Sequence, residues 1–142
     1  MKPVSELLKK HDGTLWHLRP EATVFDALQT LASYEVGALM VMEGGRLVGV
    51  MSERDYTRKV ALQGRNSRET QVREIMSTQV VTVGPAASTQ ACIALMSDKR
   101  IRHLPVVDGH LVLGMIAVRD LLEDIIADHE TTIAHLENYI QS

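Results

Sequence analysis

Apolar residues along this chain follow two rhythms, and the rhythms come round twice. Val24, Ala27, Leu28 and Leu31 fall at i, i+3, i+4 and i+7, which predicts one buried face of a helix. Thr23 followed by Asp26 three residues on reads as its capping box. Residues 38–42 and 47–51 are then almost continuously apolar and are joined through Glu43-Gly44-Gly45-Arg46. That pattern predicts a β-hairpin whose strands are covered on both faces. A second helix is expected from about 53 to 62. The order then returns. Ser88 starts a helix with Thr89, Cys92, Ile93 and Met96 on its inner face, and 104–107 and 111–116 form a hairpin through Asp108-Gly109-His110. Short apolar strands at 15–18 and 80–83 precede the two helices.

The return is a repeat. Residues 20–57 lie over 85–122 without a gap, and eight of the 38 positions are identical, including Pro20/Pro85, Ala22/Ala87, Gly49/Gly114, Arg54/Arg119 and Asp55/Asp120. Before each copy stands a related segment, Val4-Ser5-Glu6-Leu7-Leu8 and Val72-Arg73-Glu74-Ile75-Met76; the first copy has three extra residues around His11-Asp12-Gly13. Each copy therefore reads β-α-β-β-α, about 60 residues long, and would have a marginal core alone. The domain reading is a first repeat at 1–62, a linker at 63–70, a second repeat at 71–128 and a helical extension at 129–142. In that extension Leu122, Ile126, His129, Ile133, Leu136 and Ile140 are spaced 4, 3, 4, 3, 4, a heptad seam. A greasy stripe of this kind calls for a covering partner, and a homodimer is expected; the other reading folds the helix back on its own domain.

Composition narrows the chemistry. The net charge of −3 argues against a general nucleic-acid binder, and no apolar run approaches the ~18 residues of a membrane span. Cys92 is the only cysteine, which excludes internal disulfides and cysteine-cluster metal sites, and it reads as a core residue. The six histidines show no metal-ligand spacing, so no metal is expected. With no signal-peptide pattern, a cytoplasmic protein is expected. The candidate chemistry sits in Gly49-Val50-Met51-Ser52-Glu53-Arg54-Asp55 and its copy Gly114-Met115-Ile116-Ala117-Val118-Arg119-Asp120. Each places an Arg-Asp pair at a strand-to-helix corner. Unpaired amides on such a first turn suit a phosphate, and the carboxylate suits the two hydroxyls of a ribose. Ser52-Glu53-Arg54-Asp55 is equally a capping box with a structural role alone.

The doubled unit with its Gly-x-x-Ser-x-x-Asp corner resembles the tandem cystathionine β-synthase (CBS) domain pair, or Bateman module. Leu104-Pro105-Val106-Val107-Asp108-Gly109 followed by Leu113-Gly114 looks like the family's second hairpin, and the ending resembles small stand-alone bacterial members. The resemblance implies an α/β fold of two pseudo-twofold-related CBS repeats with two clefts for adenosine nucleotides. Carried over by position, one cleft combines Ser52, Arg54 and Asp55 with Thr78, Val80, Arg102 and His103. The other combines Arg119 and Asp120 with Thr14, Trp16, Gly37 and Ala38. The second departs from the pattern, because Ala117 replaces the hydroxyl residue and Gly37 and Ala38 supply no phosphate donor.

The leading expectation is a non-catalytic sensor of an adenosine nucleotide, AMP first, with NAD(H), ADP and ATP as alternatives. Against it stands a ligand-independent interaction subunit that works through its dimer surface and last helix. An enzyme is the weakest reading: the chain has no Gly-x-Gly-x-x-Gly, P-loop or Gly-x-Ser-x-Gly. With no output domain visible, a sensor would signal to an unknown downstream protein.

Overall fold

A computed structural model describes residues 2–11 and 16–141, with the side chains at 131, 132, 135, 139 and 141 outside the description. The chain divides into two compact units. One contains residues 14–81 and the hairpin tip 109–112; the other contains 1–13, 82–108 and 113–142.

In the first of these units, β1 (His17–Leu18) runs parallel to β2 (Ala38–Glu43), which is antiparallel to β3 (Arg46–Ser52). The predicted hairpin is present. Gly44 and Gly45 both take positive φ, 59° and 79°, as a tight two-residue turn requires. Between them and the corner, Val48 is an extra residue that bulges β3 where the register slips from Val41/Gly49 to Met42/Leu47. Helix α2 (Val24–Tyr34) carries the expected Thr23/Asp26 capping box and buries Val24, Ala27 and Leu31. These meet Leu39, Val41 and Met51 of the sheet, together with Val60, Val72 and Ile75, in one core. Ala38 through Val41 are all buried, so β2 is covered on both faces. Residues 63–70 run against the start of α2: Phe25 N–H donates to the Ser67 carbonyl, and the Arg68 guanidinium lies 4.0 Å above the Phe25 ring.

The helix expected over 53–62 is regular only in α3 (Glu53–Tyr56). Thr57–Ala61 continues as a wider π turn, in which Leu62 N–H reaches the Thr57 carbonyl. The wider turn puts Val60 in the core and brings Lys59 Nζ to the Ile75 carbonyl at 2.8 Å.

The other unit pairs β4 (His103–Asp108) with β5 (Leu111–Ala117), packs α4 (Thr89–Lys99) against the long α5 (Val118–Gln141), and includes the short α1 (Val4–Leu7). Ser88 caps α4, and Thr89, Cys92 and Met96 are buried as expected. Burial pushes the Cys92 thiol pKa up, as suits an inert core thiol. The strand expected at 80–83 is reduced to a single parallel bridge from Val83 to Val106. In the first copy Met40 N–H donates to the Trp16 carbonyl; the matching residue of the second copy is Pro105, which has no N–H to give.

The leading segment of each repeat is built into the unit that holds the other repeat's sheet. Val4 and Ser5 N–H donate to the Ala87 and Pro85 carbonyls; Val72 and Arg73 N–H donate to those of Ala22 and Pro20. The accepting carbonyls fall at matching positions of the two copies, Pro20/Pro85 and Ala22/Ala87. The same segments account for the two glycines before the corners. A Cβ on Gly49 would stand 2.6 Å from Met76 Sδ, and one on Gly114 would stand 2.9 Å from Leu8 Cδ2.

Candidate functional site

Two corners, one in each unit, stand at the ends of β3 and β5. At the first corner Asp55 Oδ2 accepts from Ser52 N–H at 2.8 Å and from Ser52 Oγ at 3.0 Å, while Asp55 N–H donates back to Ser52 Oγ. The other oxygen, Oδ1, lies 3.2 Å from Lys59 Nζ. The capping box is therefore formed. At the second corner Asp120 Oδ2 accepts from Ala117 N–H, again at 2.8 Å, and lies 3.4 Å from His11 Nε2. Both carboxylates are mostly buried, with about a tenth of the side chain exposed, 13% for Asp55 and 11% for Asp120.

At the first corner three amides do not stand open for an anion as the sequence suggests. Ser52 N–H is taken by Asp55, Glu53 N–H by the Gly37 carbonyl at 3.0 Å, and Asp55 N–H by Ser52 Oγ. At the second corner Val118 N–H is taken by the Arg102 carbonyl at 2.9 Å. The cause is local: the box and the neighbouring strand end satisfy the donors that a bare helix start leaves over. A phosphate at this corner must find its donors on side chains.

Ser52, Arg54, Asp55, Thr78, Val80, Trp16, Gly37 and Ala38 all belong to the first-described unit. Ala38 pairs with Ser52 across β2 and β3, and the Gly37 carbonyl binds the first turn of α3, so these four positions share one sheet end. Thr78 is exposed and Val80 half-buried in the irregular stretch after Ser77, whose backbone bridges to Val50. Trp16 packs against the core and meets Tyr34 with ring centroids 6.0 Å apart. Arg102, His103, Arg119 and Asp120 belong to the other unit, where Arg102 and Arg119 are exposed. Thr14 lies outside the described residues. Two side-chain neighbours of these carboxylates escaped sequence reading. Lys59 was findable, four residues after Asp55 on a helix. His11 carried no local signal, because 109 residues separate it from Asp120.

His103 opens β4 and is partly buried. Loss of water around the ring lowers its pKa from the usual 6.5; the Asp120 charge pulls it up and Arg102 pushes it down, but burial prevails. The unfolded chain therefore takes up this proton at higher pH than the folded one. Stability is unaffected well above pH ~6.5 and falls as pH drops through the folded pKa. Wild type should lose more of its urea midpoint between about pH 7 and 5 than His103→Gln; identical slopes would refute the assignment. Among the described residues, no group of three His, Cys, Asp or Glu side chains could hold a metal ion. Nor is any described helix long and apolar enough to cross a membrane.

Comparison with known proteins fits this duplicated geometry. The family model for the CBS domain matches residues 4–62 and again 72–127. A mitochondrial CBS domain-containing protein of Arabidopsis thaliana is 36% identical over 138 residues, which cover 94% of this chain and 67% of that protein. The solved structure of a protein with CBS domains from Burkholderia ambifaria, named as a candidate signal-transduction protein, superposes with a TM-score of 0.85 at 42% identity, covering 89% and 96% of the two chains. A hexameric CBS-CP12 protein from bloom-forming cyanobacteria superposes with a TM-score of 0.76 at 30% identity, covering 84% of this chain and 66% of that one.

Proposed function

Because the chain belongs to the CBS domain family and carries the domain twice, we propose that it is a non-catalytic regulatory subunit binding an adenosine nucleotide at its acidic corners. The observation that carries the reading is the orientation of Asp55 and Asp120. Each carboxylate is held by the N–H three residues earlier at 2.8 Å and so is set before any ligand arrives. A fixed, mostly dry acceptor of this kind suits the 2′ and 3′ hydroxyls of a ribose, since little ordering cost is left for binding. The phosphate falls to side chains: in the unit that holds Asp55, Arg54 and Thr78 are assigned to it, with Val80 as an apolar edge for adenine. A charge-assisted bond from the Arg54 guanidinium supplies the strongest of these contacts. AMP is the simplest ligand; NAD(H), ADP and ATP share its adenosine half.

The second cleft is the weaker one. Ala117 has no hydroxyl where Ser52 has one. Calorimetry with AMP is the test. Asp55→Asn should weaken binding at least about tenfold through loss of a charged acceptor worth roughly 1.5–3 kcal/mol per bond, while the amide can still cap the helix. Asp120→Asn should have the smaller effect. Undiminished affinity in Asp55→Asn, or a larger loss in Asp120→Asn, refutes the assignment.

One observation favours the ligand-independent interaction subunit: Leu122, Ile126, Ile133, Leu136 and Ile140 of α5 are exposed. Thermal-shift measurement with AMP, ATP, NAD and NADH separates the two readings, since stabilisation requires binding to the folded state. In both, the protein works as a homodimer in the cytoplasm and passes its signal to a downstream protein.

A further inference from the structure

Leu122, Ile126, Ile133, Leu136 and Ile140 of α5 are each at least half exposed, and His129 between them is exposed as well. The helix is held to its unit by a different face. Leu121 and Asp124 are buried and Ile125 partly so, about a third of a turn round from the stripe. Asp124 there accepts from the Thr89 hydroxyl at 2.8 Å and from Lys2 N–H at 3.2 Å. The stripe is thus left over after the helix has been anchored, and it runs about 27 Å along the axis at 1.5 Å per residue.

Its composition says what covers it. With spacings of 4, 3, 4, 3 and 4, the a positions are Ile126, Ile133 and Ile140, and the d positions are Leu122, His129 and Leu136. Among parallel seams, Ile at a with Leu at d is the combination that favours two strands. The charges agree. Glu123, Glu130 and Glu137 fill the e positions and are exposed, while positions 125, 132 and 139, at g, carry no charge. An antiparallel pair would set these acids against one another; a parallel pair sets each against an uncharged g position. His129 adds register, because the polar seam residue meets its own copy only in a parallel, unshifted pair. We infer that α5 of two copies pair as a parallel, in-register two-stranded seam, which rests on the homodimer of the proposed function and gives it a geometry.

The test uses the full chain. Sedimentation should show a dimer whose dissociation constant rises at least about tenfold in Ile133→Glu, since a seam charge must be desolvated to pair. Leu136→Cys should cross-link to itself under mild oxidation, as should Ile126→Cys, with wild type as the control because Cys92 is buried. In an antiparallel seam residue 136 faces residue 126 of the second copy, so a cross-link formed only on mixing the two variants overturns the inference. A dimer unmoved by Ile133→Glu also overturns it, leaving the homodimer to some other face. A monomeric wild type removes the homodimer reading itself, and neither result touches the nucleotide titration of Asp55.

Discussion

Gly114→Ala should lower the unfolding free energy by about 2–4 kcal/mol, although it adds one methyl group in a strand. Gly114 sits at φ +156°, a conformation that residues with a Cβ rarely adopt, and such strain costs on the order of 1–3 kcal/mol. The new carbon would also stand 2.9 Å from Leu8 Cδ2. Leu8 is the end of a flexible side chain and can give way, so the backbone supplies the larger part. Gly49→Ala provides the contrast. Its φ lies outside that region, and its cost comes from packing against Met76 Sδ at 2.6 Å and the Ser77 carbonyl at 3.0 Å. The two glycines should therefore respond differently to trimming the neighbour. Met76→Ala should recover part of the Gly49→Ala loss in a double-mutant cycle, whereas Leu8→Ala should recover little of the Gly114→Ala loss. Urea unfolding of wild type and the six variants decides it, and a Gly114→Ala loss below about 1 kcal/mol would show the strain assignment to be wrong.

The second large effect is expected at Asp124, which no motif marks. Its side chain is buried, with 4% of the residue exposed, and Thr89 beside it is fully buried. One oxygen, Oδ2, accepts from both the Thr89 hydroxyl and Lys2 N–H. Bonds to a charged acceptor contribute roughly 1.5–3 kcal/mol each, and relief of a buried charge offsets part of the loss. Asp124→Ala should therefore cost about 2–3 kcal/mol. The Thr89 hydroxyl can turn to the Lys2 carbonyl, 3.3 Å away, so the orphaned group is the Lys2 amide. The damage should concentrate in the leading segment, where hydrogen exchange at the Val4 and Ser5 amides, now bonded to Ala87 and Pro85, should speed up more than in the core of α4. Asp124→Asn keeps an acceptor and should recover most of the protection. Unchanged exchange in Asp124→Ala would mean the carboxylate does not hold this segment.

Much of the architecture was legible because it is written in local periodicity. The α2 capping box, both hairpins, the buried face of α4 and the apolar stripe of α5 follow from spacings of two, three and four residues, which backbone geometry converts directly into faces. The misreadings have equally local causes. The 80–83 strand failed because Pro105 cannot donate into a ladder, and the helix after Asp55 widens where Lys59 reaches the Ile75 carbonyl. The open amides of the corner failed because its own side chains and a strand-end carbonyl close them.

The amino-acid pattern was sufficient for the repeat, for the two acidic corners and for the apolar stripe, since each is a matter of order and spacing within one stretch of chain. Folding alone could decide where the leading segments go. That Val4 bonds to Ala87 and Val72 to Ala22, that Gly114 makes room for Leu8 and Gly49 for Met76, and that His11 meets Asp120 are pairings between residues tens of positions apart. Nothing in a neighbouring residue announces such partners. They are set by which buried surface each segment can fill once the sheets and helices exist, and so the oxygens of Asp120 acquired a histidine that the corner's own seven residues do not contain.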